Sequence, residues 1–168
     1  MRIVTLLPSA TEIVHAIGLG ERLVGVSHEC DFPAAVRGLP HVTRSLLPAA
    51  AATSAAIDAA VRDRVRERQP LYALDVALLA DLRPDLVVTQ ALCDVCAVAE
   101  GEVANAIAGL PGPAFVLTLE PHRLGDVLDG MQAVADAAGA SEAGRGAVAG
   151  LRRRIDAVAE RSAAIVVR

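Results

Sequence analysis

Short runs of branched apolar residues alternate along this chain with longer segments whose apolar positions recur every three or four residues. The short runs are typical of buried strands and the longer segments of amphipathic helices. The predicted strands lie at residues 2–7, 23–26, 86–89 and 115–118. Because strands that alternate with helices form parallel β-α-β units, we predict an α/β fold with a three-layer, mainly parallel sheet of four or five strands.

The first helix is predicted from residue 9 to about residue 18. Ser9 and Glu12 have the spacing of a capping box, in which each side chain accepts a hydrogen bond from the backbone of the other residue. Pro8 is expected to end the preceding strand, and Gly18 is expected to close the helix in the left-handed conformation.

Further helices are predicted from apolar spacing at 54–68, 74–82, 98–108 and 124–138. In the first of them, Ile57, Val61 and Val65 form one apolar stripe. Ser141 can cap a long helix that extends to about residue 161, whereas the Ala- and Pro-rich segment 43–52 gives no clear prediction. The chain is therefore divided into three parts: an α/β lobe at 1–138, a long connecting helix at 139–163, and the start of a further unit at 164–168.

Composition restricts the classes of partner. The 168 residues are enough for one domain with a real core, and they are 54% hydrophobic but only 2% aromatic. A net charge of −4 argues against nucleic acid as a partner. No segment reaches the roughly 18 apolar residues of a membrane span, so a membrane-embedded protein is not expected. The five-residue apolar run near Met1 is too short for a secretory signal, which predicts a cytoplasmic protein as encoded, or an extracytoplasmic one if an export signal is missing.

Two loops hold all three cysteines, and each loop directly follows a predicted strand. They read SHECDFP at 27–33 and LCDVC at 92–96. Ligands of open α/β sheets bind where strands end, so we predict that these loops crowd one edge of the sheet. The candidate ligand-binding residues are Ser9, Thr11, His28, Glu29, Asp31, Tyr72, Gln90, Asp94 and His122, and the candidate metal ligands are Cys30, Cys93 and Cys96.

Several interpretations of these residues stay open. With His28, the three thiols could form a zinc site if the loops meet, or one of them could touch the cobalt of a corrinoid. The Cys93-x-x-Cys96 pair between a strand and a helix also has the context of a thiol-redox pair, although Asp94 would disfavour a thiolate. The thiols could equally be buried packing groups. Ser9 could simply cap its helix, His28 could bind loop backbone, and Tyr72 could seal the surface.

Motifs of catalysis are lacking in the sequence. It contains neither of the glycine-rich phosphate-binding patterns and no G-x-S-x-G nucleophile turn. We therefore predict a binding protein and not an enzyme.

The order of these parts resembles the substrate-binding proteins of ABC importers for vitamin B12, haem and iron–siderophores. The resemblance rests on RIVTLLPSATEI at 2–13, GLGERLVGV at 18–26 and LRPDLVV at 82–88. Within this group, the two cysteine loops are similar to those of the branch called cobalamin-binding proteins. The resemblance covers essentially the whole chain.

This resemblance implies two α/β lobes joined by one long helix, with the ligand between the lobes, and this chain would be the N-terminal lobe and the helix. The implied function is binding of cobalamin, another corrinoid or a related metal chelate, as the solute-binding component of an ABC-type uptake system. The alternative is a Cys/His metal-binding or CxxC thiol-redox protein. The family docks on its permease through a surface acid on each lobe; here Ala77 stands where that acid is expected, and Asp75 could substitute.

Overall fold

Four parallel strands form the central sheet of the computed structural model, which describes residues 1–48, 53–67, 69–90, 100–163 and 165. In this part of the chain the spatial order of the strands is β2-β1-β5-β6, and a separate antiparallel ribbon pairs β3 with β4. The strands are β1 (Ile3–Thr5), β2 (Leu23–Gly25), β3 (Thr43–Ser45), β4 (Tyr72–Leu74), β5 (Leu86–Gln90) and β6 (Phe115–Leu119). The predicted α/β fold with a mainly parallel sheet is thereby confirmed.

Helices cover both faces of the sheet and make the predicted three layers. They are α1 (Pro8–Ala16), α2 (Ser54–Arg66), α3 (Val76–Leu82), α4 (Glu100–Ala108), α5 (Leu124–Ala137) and α6 (Ser141–Ala163). A short 3-10 turn at Ala34–Gly38 lies in the loop after β2. None of these described helices is long and apolar enough to cross a bilayer.

The two central strands are mainly apolar because both of their faces are covered, and their threonines, Thr5 and Thr89, are buried as well. Successive side chains of a strand point to opposite faces, and in β1 Ile3 joins the core cluster under α1, α5 and α6, while Val4 joins the cluster on the α3 and α4 side. In β5, Val87 and Val88 divide in the same way. Buried strands of parallel sheets therefore contain short apolar runs, here residues 3–4 and 86–88, in place of an alternation of apolar and polar residues.

The first helix begins one residue earlier than predicted, and the capping box is wrong. Pro8 does not end the strand; it occupies the first turn of α1, where its fixed φ suits the helix and its missing N–H leaves no donor unpaired. Leu7 is the N-cap residue, in an extended conformation and without a side-chain cap. Ser9 consequently lies inside the helix. Gly18 has φ +78°, so its predicted left-handed conformation is confirmed.

The ribbon of β3 and β4 lies in segments for which the sequence analysis predicts no strand. Thr43 pairs with Leu74 and Ser45 with Tyr72. The predicted helix 74–82 therefore begins only at Val76, and Asp75 is its N-cap residue, whose carboxylate accepts a hydrogen bond from the Leu78 backbone at 2.9 Å.

The stripe on α2 is helical as predicted, but it is not a core face. Ile57 and Val65 are 44% and 47% exposed, Val61 is half-buried, and no residue of the helix is fully buried. Apolar spacing therefore predicted the helix correctly, but it does not show whether the stripe is buried.

The last two helices pack closely against each other. Gly139, with φ +67°, ends the turn after α5, and Gly144 of α6 is buried against Ala135 of α5. The apolar stripe of Val148, Leu151 and Ile155 packs on the lobe, whereas Val158 is 55% exposed. The described α6 thus matches the predicted long helix; the predicted strand at 164–167 lies, apart from Ile165, outside the described residues.

Candidate functional site

The carboxyl ends of all four parallel strands lie at one edge of the sheet, and the candidate residues follow them. Ser9 comes after β1, His28 after β2, Gln90 ends β5, and His122 follows β6. Four adjacent strands at spacings of about 4.8 Å make this edge roughly 14 Å wide. We call it the carboxyl edge. The topology thus brings these four positions to one edge of the sheet.

His28 is fixed by β3. Its Nδ1 lies 2.7 Å from the Thr43 hydroxyl, and its backbone N–H donates to the same oxygen at 3.1 Å. Thr43 in turn donates to the Ser27 hydroxyl at 3.2 Å, and Ser27 also accepts from the backbone of Glu29. Two contacts between one residue and one hydroxyl leave the imidazole little freedom to turn.

The other ring nitrogen of His28 points away from this network. Nε2 is buried and makes no hydrogen bond of good geometry, although Glu29 Oε1 is 3.2 Å away. The distance permits an ion pair with a protonated ring, but the atoms are not aligned as donor and acceptor. Glu29 is 59% exposed, so solvent weakens this interaction. Nε2 is therefore the ring nitrogen of His28 without an aligned partner, and a ligand reaches this buried atom only when the side chains that cover it, Glu29 among them, move aside.

Tyr72, another of the candidate ligand-binding residues, lies beside His28. The two ring centroids are 5.4 Å apart and the planes are tilted by 49°. Tyr72 is on β4, and its pairing with Ser45 of β3 places it on the same ribbon that supplies Thr43. The half-buried Tyr72 therefore supplies a flat apolar surface next to the imidazole of His28.

Thr11 and Cys30 are core residues and do not lie on the surface of the carboxyl edge. Thr11 is fully buried, with its hydroxyl 2.6 Å from the Thr5 hydroxyl and 3.0 Å from Cys30 Sγ. Cys30 is 3% exposed and belongs to the core cluster under α1. His28 instead contacts Thr43 and Tyr72, so Cys30 and His28 leave the same loop in different directions.

The environment of Cys30 favours its protonated thiol when no metal is bound. Burial raises the pKa of its thiol above the ordinary value of 9.0, and the carboxylates of Asp31 and Glu29 raise it further; the hydrogen bond with Thr11 opposes them. A protonated thiol is favoured, whereas metal binding and attack both require the thiolate.

The remaining described candidates are more exposed. Ser9 is exposed on α1, Asp31 is exposed and its carbonyl accepts from Arg37 Nε at 2.9 Å, and Gln90 is half-buried. His122 is exposed, and its backbone donates to Asp126 Oδ2 at 2.9 Å. Of these side chains, Ser9, Gln90 and His122 can meet a ligand that lies across the carboxyl edge.

Of the three cysteines predicted to form a cluster, the structure describes Cys30. Cys93, Asp94 and Cys96 lie outside the described residues. Among the residues that the structure does describe, no three His, Cys, Asp or Glu side chains come together as a metal site. The zinc and cobalt interpretations of the three cysteines stay predictions.

Two site residues were missed from the sequence. Thr43 and Ser27 hold His28, yet Thr43 lies in the segment without a clear prediction, and Ser27 appeared only as the first residue of a loop. The β-branched pair Val42 and Thr43, directly after His41, was the available signal for a short strand.

Comparisons with known proteins concern the fold. No protein-family model matches the chain. A segment of 41 residues, which is 24% of the chain, is 46% identical to vitamin B12-binding proteins of Yersinia pestis and Yersinia pseudotuberculosis. The segment covers 15% of the length of those proteins.

Solved structures match over nearly the whole chain. The periplasmic vitamin B12-binding protein BtuF of Vibrio cholerae has a TM-score of 0.68 at 21% identity over 97% of this chain and 51% of its own. The periplasmic haem-binding protein RhuT of Roseiflexus sp. RS-1 has a TM-score of 0.68 at 23% identity over 99% of this chain and 51% of its own. The chain thus spans about half the length of these structures. It has the fold of the periplasmic binding proteins of the vitamin B12, haem and iron–siderophore group, as its sequence predicted.

Proposed function

We propose that this chain binds cobalamin, another corrinoid or a related metal chelate at the carboxyl edge, as part of the solute-binding component of an ABC-type uptake system. The observation that carries the proposal is the His28–Tyr72 pair, held by the β3–β4 ribbon at the edge where α/β sheets bind ligands. The 41-residue match to vitamin B12-binding proteins favours a corrinoid over haem.

The chemistry of the edge suits such a ligand. A corrinoid has a broad flat ring with amide groups around its rim. Tyr72 offers an apolar face, while Ser9, Gln90 and the free Nε2 of His28 offer polar atoms. Binding is therefore non-covalent. An edge covered by one lobe alone encloses little of a ligand's surface, so we expect weak binding by the chain itself.

Docking on an ABC permease belongs to the same proposal. The exposed Asp75 is the acid available in the stretch where docking is expected, but its carboxylate already caps α3. The cap uses Oδ1, so a docking role for Asp75 would rest on its other carboxylate oxygen, Oδ2.

The test is a titration of the chain with cyanocobalamin and, separately, with haem, followed by visible absorbance and calorimetry. His28→Ala removes the imidazole of the site, and His41→Ala removes an exposed imidazole whose backbone forms an isolated bridge with Val26. We expect cobalamin to bind more tightly than haem, with binding weakened by His28→Ala and unchanged by His41→Ala. Equal binding by both variants would show that His28 is not in the site. Absence of cobalamin binding at millimolar concentration would contradict the proposal.

A further inference from the structure

We propose that Thr43 and Ser27 are positioning residues that hold His28 in the Nδ1–H tautomer, so that Nε2 presents a lone pair to hydrogen-bond donors of the ligand. This inference rests on the proposed function for its ligand, but its structural part concerns the ligand-free protein. Free histidine in water prefers the opposite tautomer, with the proton on Nε2. The proposal therefore assigns a specific chemical effect to two residues outside the predicted site.

The hydrogen-bonding capacity of the Thr43 hydroxyl determines the tautomer. A threonine hydroxyl has a single proton to donate and two lone pairs that accept. Thr43 donates its proton to Ser27 Oγ at 3.2 Å and accepts the backbone N–H of His28 at 3.1 Å. One lone pair is left for His28 Nδ1 at 2.7 Å. Because that contact is a short hydrogen bond, Nδ1 must supply its proton.

Ser27 is what directs the Thr43 proton away from the imidazole. It is 4% exposed, so water does not readily replace it as the acceptor. Its oxygen also accepts the backbone N–H of Glu29 at 3.3 Å, which fixes the hydroxyl in the loop. In neutral histidine the hydrogen bond made by one ring nitrogen determines the state of the other.

The surroundings of Nε2 agree with this assignment. The atom is buried and has no hydrogen-bond partner of good geometry. A buried N–H in that position would be an unpaired donor, which is costly. Glu29 favours a proton on Nε2, but its carboxylate is 59% exposed and poorly aligned, so it is the weaker influence. Arg44, the charged residue next along β3, is exposed.

The consequence is selection by hydrogen-bond polarity. A bare Nε2 accepts from an amide N–H of the ligand and disfavours carbonyl and carboxylate oxygens at the same point. The amide-rich rim of a corrinoid satisfies this requirement. The same lone pair can also coordinate a metal, such as the cobalt of a corrinoid or the iron of haem, so the tautomer by itself does not discriminate between these two ligands.

The test reads the tautomer directly, by long-range ¹⁵N–¹H spectra of the histidine rings in the ligand-free chain at roughly pH 8.5, where an ordinary imidazole is neutral. We expect the Nδ1–H tautomer for His28 in the wild type and in Thr43→Ser, which keeps the hydroxyl. Ser27→Ala frees the Thr43 proton to point at Nδ1, so we expect it to reverse the tautomer. Thr43→Val, which removes the hydroxyl, should return the ring to the tautomer of free histidine.

An Nε2–H ring in the wild type would overturn the proposal, and so would an unchanged ring in Ser27→Ala with a native backbone spectrum. If Ser27→Ala does not fold, the wild type and Thr43→Val decide between the same outcomes. A separate cobalamin titration should show binding weakened about three- to tenfold by Ser27→Ala, as for one lost hydrogen bond. Failure to bind any ligand would contradict the proposed function while leaving the spectroscopic result to stand by itself.

Discussion

Gly144→Ala tests the close packing of α5 against α6, which attaches the long helix to the lobe. A methyl group at position 144 would lie 2.4 Å from the Cβ of Ala135, a fully buried residue. Carbon atoms pack at about 3.5–4.0 Å, so the helices would have to separate by roughly 1.1 Å or more at this point. The side chain of Gln132, at 3.1 Å, would have to move as well.

Two opposing effects set the magnitude. Overpacking a close contact costs about 1–3 kcal/mol, and the short distance places this case at the upper end. Alanine is favoured over glycine inside a helix by about 1 kcal/mol. We therefore expect Gly144→Ala to lower the free energy of unfolding by about 2 kcal/mol.

The assay is urea unfolding followed by circular dichroism, and the chain offers a matched control. Gly146 is an exposed glycine in the same helix, with open space where its Cβ would be. Gly146→Ala should therefore stabilise the protein by up to about 1 kcal/mol. Adding Ala135→Gly to Gly144→Ala should restore part of the loss through a favourable coupling. If Gly144→Ala proves as stable as Gly146→Ala, α5 and α6 do not cross at this point and the reasoning is refuted.

Three further predictions concern α1 and the thiol beneath it. Burial raises the pKa of Cys30 above 9.0, so its contribution to stability is complete below pH 9.0 and is lost as the pH rises through the folded-state pKa. Urea unfolding at about pH 8 and about pH 10 should therefore show that the free energy of unfolding falls less with pH in Cys30→Ala than in the wild type. Thr11→Val should lower the free energy of unfolding by about 1–3 kcal/mol, since it leaves the buried Thr5 hydroxyl without its 2.6 Å partner; an unchanged midpoint would show that this bond contributes nothing. Ser9→Ala should lower the free energy of unfolding by less than about 0.5 kcal/mol, because Ser9 does not cap α1. A decrease of about 1 kcal/mol would show that Ser9 caps the helix after all.

The elements that could be predicted from sequence are those determined by local pattern. β1 and β5 contain the apolar runs at residues 3–4 and 86–88 because both faces are buried, and Gly18 and Gly139 mark turns that need positive φ. Pro8 shows the limit of such reasoning. A proline after an apolar run can end a strand or begin a helix, and here the chain turns directly from one into the other.

What could not be predicted depends on contacts between distant parts of the chain. β3 and β4 have three residues each and pair across a separation of 27 to 31 residues, too short for any periodicity to appear. The partners of His28 lie on this ribbon, so the site could be located at the right edge from sequence but not assembled. Likewise, α2 has a clear apolar stripe, but no sequence pattern reports whether another element covers it.

The most direct test of the central claim, that the carboxyl edge binds the ligand, is a map of amide shifts in ¹⁵N spectra as diamagnetic cyanocobalamin is added. This measurement detects weak binding and locates it. We predict amide shifts confined to residues at the carboxyl ends of the four strands, including Ser9, His28, Gln90 and His122. Shifts at the opposite edge, around Arg83 and Gly112, or no shifts at millimolar ligand, would contradict it.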